Sequence, residues 1–329
     1  MTKPVSKPPS GAAPKPTPNA APPLGTALPI GAPTPGAAPT PAPRTIRPPD
    51  PAAVTRVVAV ALGEDLALGD PTSEGLFGPD DTCEMTLLLK EPGVICGLGV
   101  VGAVFSALDP RVVVTATYAD GDSIEAVPAE VARIFGPSRA VLSGERTALN
   151  LLGRLSGIAT LAARCVAELE GTGAVLLDTR KTTAGLRELE KYAVRCGGAR
   201  NHRFNLGEAL LVKDNHLRLA GGIAAAVARL REAHSKLRLE VEAETLDDVR
   251  EALAAGVDRI MLDNMTIDRM REAVELCHAA PHGAVETEAS GGVTQANLRQ
   301  VGETGVDFVS MGALTHSSRA LDVSLEVAP

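Results

Sequence analysis

Residues 175–181 read VLLDTRK and residues 209–216 read ALLVKDNH. In both, a short apolar run stops abruptly at charged residues. The theme recurs at LEVEAE (239–244), IMLDN (260–264), AVETEASGG (284–292) and FVSMG (308–312), with amphipathic stretches such as Leu246–Ala255 and Ile267–Ala280 between them. Strand-then-helix units repeated every roughly 20–35 residues argue for a parallel sheet. Six or seven such units close most economically into a barrel of the TIM type, whose functional residues sit at the carboxyl ends of the strands. An open doubly wound sheet is the alternative architecture.

Upstream, the pattern is mixed. Val54, Val57, Val58, Ala61 and Leu62 fall at helical spacing, and Gly69-Asp70-Pro71-Thr72 reads as a loop. TCEMTLLLK (82–90), RVVVTATY (111–118) and residues 129–135 read as strands, and residues 98–108 as a small-residue helix. A long helical pattern covers roughly 138–169. Gly153 and Gly157, four apart within it, predict close packing of another element. The first 49 residues differ again. They hold no acidic or aromatic residue, and 17 of the 25 prolines lie in residues 1–51. Such a segment has too little apolar surface to offset the entropy of ordering, so it is expected to be disordered.

Charge divides the chain further. The net charge of −8 comprises +4 on residues 1–50 and −12 on the remainder. An acidic body argues against general nucleic-acid binding. No run of 18 apolar residues suggests a membrane span, and no export signal is recognisable. The five cysteines show no CxxC pairing, as expected of reduced thiols in a cytoplasmic protein.

Within the acidic body, residues 139–218 carry 13 Lys+Arg against eight Asp+Glu, which leaves −17 on the rest of residues 51–329. A basic island in an acidic protein suggests a focused site for a strongly anionic small molecule. Arg187, Glu188, Glu190 and Lys191 read as ordinary helix charges that can pair with one another. Arg180, Lys181 and Lys213 do not, because each directly follows an apolar strand. Asn201-His202-Arg203 adds a second cationic cluster with a hydrogen-bonding imidazole. Glu240, Glu242 and Glu244 alternate along one strand and share a face, and Asp263 ends the next strand. At the mouth of a cationic barrel these acids suit ribose hydroxyls or a magnesium ion attached to phosphate, and position favours Glu242. Ser290-Gly291-Gly292 and Gly312-Ala313 offer backbone N–H groups to a phosphate at the last two strand ends.

Several ordered stretches then carry a resemblance. SGERTALNLLGRLSGIAT (143–160), DTRKT (178–182), EKYAVRCGGARNHRFNLGEALLVKDNH (190–216), EVEAET (240–245), MLDNM (261–265), EASGGV (288–293) and GALTHSSRALDVSL (312–325) resemble the quinolinate phosphoribosyltransferase family over roughly residues 52–327. The resemblance implies an N-terminal α/β sandwich domain over residues 50–156 and an incomplete TIM-like α/β barrel over residues 157–329, after the tail at 1–49. It implies phosphoribosyl transfer from phosphoribosyl pyrophosphate to quinolinate with decarboxylation, a step of NAD biosynthesis. It places Arg146, Arg180, Lys181, His202, Arg203 and Lys213 on quinolinate, with Thr179 at the same strand end. Glu242 and Asp263 match the ribose and metal-diphosphate acids. Ser290, Gly291, Gly292, Gly312 and Ala313 match the 5-phosphate loops. Lys181, Lys213, Glu242 and Asp263 fall at the reacting centre. Magnesium accompanies the pyrophosphate, and no organic cofactor is implied. A homodimer with a shared site is implied, Arg146 coming from the second subunit. The sequence leaves open assembly beyond the dimer. It also leaves open a related transferase acting on another acidic base and a Schiff-base aldolase using Lys213. Pro71 and the Pro-rich tail depart from the family pattern.

Overall fold

A computed structural model describes residues 46–280 and 283–327. Most of the expected disordered tail, residues 1–45, lies outside the described residues. Residues 46–49, assigned to that tail from composition, are held on the folded body. Ile46 occupies the space beside Gly121, and the Arg47 carbonyl accepts a hydrogen bond from Arg195 at 3.2 Å.

The chain begins with α1 (Pro51–Asp65) and α2 (Pro71–Leu76). Both open the same way: an aspartate, Asp50 or Asp70, caps the first free N–H groups, and proline follows at the first helical position, where its missing N–H costs nothing. Pro71 therefore starts a helix where a loop was expected. Next come β1 (Thr82–Leu89), β2 (Gly93–Val94), α3 (Leu98–Leu108), β3 (Val113–Ala116), β4 (Ser123–Ile124) and β5 (Ala129–Pro137). The 31-residue α4 (Ser138–Glu168), about 46 Å long at 1.5 Å per residue, then runs from the first layer into the second.

The strand-helix repeat follows: β6 (Val175–Leu177), α5 (Arg187–Cys196), β7 (Leu210–Val212), α6 (Asp214–Ala220), α7 (Ile223–Ala233), β8 (Leu239–Ala243), α8 (Leu246–Ala255), β9 (Arg259–Asp263), α9 (Ile267–His278), β10 (Glu286–Ser290), α10 (Leu298–Gly302), β11 (Phe308–Ser310) and α11 (Ala313–His316). All six strands are parallel, in the spatial order β6-β11-β10-β9-β8-β7. The first strand thus lies beside the last, as it does in a barrel, and the wall is open between β6 and β7. Arg200 partly fills that seam through a single parallel bridge to Leu177. This is the expected incomplete barrel.

The chain ends by returning. β12 (Val323–Val327) pairs antiparallel with β1, giving the first sheet the order β12-β1-β5-β3. A division at residues 156 and 157 therefore falls inside α4, and the last strand belongs to the first sheet. The returning segment passes α4 at Gly153 and Gly157. A Cβ at either position would run into the carbonyl of Leu321 or Arg319, so the glycine pair is the close-packing site its spacing predicted. Among the described residues, no helix is long and apolar enough to cross a membrane.

Candidate active site

A cavity of about 620 Å³ opens at the carboxyl ends of the barrel strands. Most of the residues singled out from sequence line it. Thr179, Arg180 and Lys181 follow β6, and His202 and Arg203 come from the seam segment. Lys213 follows β7, Glu242 lies on β8, Asp263 ends β9, and Ser290, Gly291 and Gly292 follow from β10. Of the residues that the resemblance assigns to ligands, three lie outside the lining. Gly312 and Ala313 begin α11 beside the cavity, where Gly312 sits so close to Lys181 that a Cβ would stand 3.1 Å from its Cδ. The Thr315 hydroxyl donates to the Lys181 carbonyl at 2.9 Å, tying α11 to the same loop. Arg146 is exposed on α4 and contributes nothing to the lining of its own chain's cavity.

The cations of the cavity are poorly neutralised. The Nε atoms of Arg180 and Arg203 are buried without a hydrogen-bond partner. Burial and the charge of Arg180 hold the Arg203 guanidinium below its ordinary range, and its clearest anchor is the Ala209 carbonyl at 2.8 Å. Lys213 is the exception, ion-paired with Glu242 at 3.0 Å.

His202 stands between the cavity and the barrel interior. Its Nε2 lies 3.1 Å from Glu240 and 3.5 Å from Glu288, and its Nδ1 accepts the Arg203 backbone N–H at 2.8 Å. Burial lowers the imidazole's proton affinity, but the two carboxylates outweigh it and push the pKa up to about 9. Protonation would break the Arg203 contact, because Nδ1 would then carry a hydrogen. Beneath it, Arg259 binds Glu288 at 2.9 Å and Glu286 at 2.8 Å and lies 3.8 Å from the Phe308 ring centre. Of the three alternating glutamates, Glu240 therefore holds His202, Glu242 lines the cavity, and Glu244 is exposed.

A second acidic group faces the cavity. One oxygen each from Glu242, Glu244 and Asp263 lies within 4.8 Å of the others. Burial and the nearby Glu242 charge raise the Asp263 pKa. Hard oxygen donors that repel one another suit a divalent cation, so the residues fit a magnesium ion.

Sequence reasoning misjudged one helix. Glu190 and Lys191 of α5, read there as ordinary helix charges, are 0% and 1% exposed. Lys191 binds Asp178 at 2.5 Å, and Arg154 of α4 binds Glu190 at 2.8 Å. Asp178 also accepts from Asn201 and from the His202 backbone N–H, so this cluster sets the seam segment that carries His202 and Arg203. Leu211, Met261, Asn264, Glu288 and Ser310 also line the cavity and were not singled out. Glu286 and Glu288 alternate on β10 much as Glu240 and Glu242 do on β8, a signal available in the sequence.

Residues 158–326 match the family model for the quinolinate phosphoribosyl transferase C-terminal domain, and residues 70–156 match the one for its N-terminal domain. The chain belongs to the quinolinate phosphoribosyltransferase family. It is 43% identical over 265 residues to the probable nicotinate-nucleotide pyrophosphorylase (carboxylating) of Bacillus subtilis (strain 168), covering 80% of this chain and 90% of that protein. The nicotinate-nucleotide pyrophosphorylase of Francisella tularensis superposes with a TM-score of 0.81 at 38% identity, over 87% of this chain and 99% of that one. NadC from Streptococcus pyogenes gives 0.79 at 38% identity, over 85% and 99%. The two-domain fold of this family, an antiparallel first sheet and a parallel second one, is the fold described above.

Proposed function

We propose that this cavity is where the chain transfers the phosphoribosyl group of phosphoribosyl pyrophosphate to quinolinate and releases carbon dioxide, giving nicotinate mononucleotide and pyrophosphate. The observation that carries the assignment is the pair Arg180 and Arg203, each with a buried Nε lacking a partner. Two guanidinium groups that repel each other are stabilised by a ligand with two carboxylates, which quinolinate has.

In this reading Arg180 and Arg203 orient the pyridine ring, with Thr179 and His202 at its edge. The ring nitrogen attacks the anomeric carbon as pyrophosphate leaves. The 2-carboxylate then departs as carbon dioxide while the ring nitrogen cation stabilises the electrons left behind, and a proton from solvent takes up that electron pair at the ring carbon. Lys181 and Lys213 place positive charge near the departing oxygens. Ser290, Gly291 and Gly292, with Gly312 and Ala313 alongside, receive the 5-phosphate through backbone N–H groups. Glu242 and Asp263 face the ribose and would hold a pyrophosphate-bound magnesium ion, which neutralises charge on the leaving group. The chain supplies position and electrostatics and no covalent nucleophile.

The exposed position of Arg146 supports a homodimer in which this residue serves the second copy's cavity. Mixing an Arg146→Ala chain with a Lys213→Ala chain should then restore activity in verified heterodimers, and no restoration would count against sharing. The absence of disulfides among the five cysteines supports a cytoplasmic setting. The activity itself is tested by carbon dioxide release dependent on both quinolinate and phosphoribosyl pyrophosphate, with nicotinate as control base. Turnover of nicotinate in place of quinolinate would point to a related transferase.

A further inference from the structure

We propose that Asn264 is a positioning residue that ties the Asp263 carboxylate to the Ser290-Gly291-Gly292 loop, so that both face the phosphoribosyl ligand as one unit. The inference rests on the phosphoribosyltransferase reading of the cavity.

Asn264 is the one non-glycine residue with positive φ among the described residues, at 53°. Side chains disfavour this left-handed region, and asparagine is among the few that tolerate it. The conformation turns the chain just past the last register pair of β9 and β10, Asp263 with Ser290. It sends the Asn264 backbone N–H to the Ser290 carbonyl at 3.0 Å. It also folds the side chain back, so that Nδ2 donates to Asp263 Oδ2 at 2.6 Å. Among the described residues the Asp263 carboxylate accepts no other hydrogen bond, which leaves its Oδ1 for a ligand.

The loop side is equally specific. Gly291 packs on the Asn264 amide so closely that a Cβ there would overlap it, and Gly291 itself has φ 79°. One amide group therefore touches the acid assigned to ribose and metal and the loop assigned to phosphate. An ordinary extended or helical residue at 264 would lose both contacts together. The side chain lines the cavity, and among the described residues its one hydrogen bond runs to Asp263, so its effect runs through Asp263 and the loop.

Three substitutions separate backbone from side chain. Asn264→Gly keeps the left-handed turn and loses the amide. Asn264→Asp keeps the shape and the turn but sets a carboxylate against Asp263. Asn264→Ala loses the amide and strains the turn. Steady-state kinetics should show KM for phosphoribosyl pyrophosphate raised about tenfold or more in Asn264→Asp, by the loss of a hydrogen bond to a charged group. Asn264→Gly should show a smaller rise, and KM for quinolinate should change little in either. Calorimetric binding of phosphoribosyl pyrophosphate without magnesium should weaken in parallel, and the thermal unfolding midpoint should stay close to that of the unaltered chain. An Asn264→Asp chain with unaltered KM for phosphoribosyl pyrophosphate, or one that loses both substrates and its stability equally, overturns the positioning role. If the unaltered chain itself releases no carbon dioxide from quinolinate, the reading of the cavity fails, a result distinct from either.

Discussion

Two sets of charges meet behind β6, and they differ in how they are neutralised. On the side facing α5, Lys191 is closed on Asp178, and Glu190 on Arg154. On the cavity side, a few residues away, Arg180 and Arg203 keep buried Nε atoms with no partner. Both sets carry the cost of desolvation. The first set meets that cost with bonds inside the chain and so fixes structure. The second leaves it unmet within the chain, and on the function proposed above a dicarboxylate ligand meets it.

The closed set should break by unfolding. Lys191→Met strands a buried Asp178 carboxylate, which burial already pushes toward its neutral form. We expect a loss of about 3–5 kcal/mol, read from the urea midpoint. A further Asp178→Asn change should recover part of it. The open set should break by losing function. Arg203→Ala should lower kcat/KM for quinolinate by about 10²–10³-fold. Its unfolding midpoint should hold or rise, because repulsion with Arg180 disappears. Unchanged quinolinate binding in this variant would remove the carboxylate assignment.

His202 sits at the boundary and sharpens the contrast through pH. Its pKa in the folded chain, about 9, is raised above the ordinary value of about 6.5. The resulting stabilisation is complete below about pH 6.5 and disappears as pH rises through about 9, amounting to about 3 kcal/mol. The chain should therefore lose more stability across that window than a His202→Gln variant does. Parallel losses would mean that the imidazole stays neutral, as its Nδ1 contact with Arg203 favours.

The residues themselves explain what the sequence disclosed. The six barrel strands are legible because each apolar run ends in charge or glycine, and most of those endings line the cavity. Arg180, Lys181 and Lys213 stand out for that reason alone. Lys191 does not, because helical spacing cannot reveal that α4 and the seam segment cover the outward face of α5. β12 escapes notice because its partner, β1, lies more than 230 residues earlier in the chain. The role of Asn264 depends on a backbone angle that the letters Asp-Asn permit without requiring.

The return of β12 to β1 bears on how the protein is made. Until residues 323–327 leave the ribosome, β1 has an uncovered edge, because among the described residues only β12 takes that place. At about 5–20 residues per second the wait is on the order of ten seconds or more. An open strand edge is a template for pairing with another chain, so the nascent first domain is exposed to aggregation throughout that interval. A frameshift just ahead of residue 323 would accordingly do its damage in the sheet built from residues 82–137.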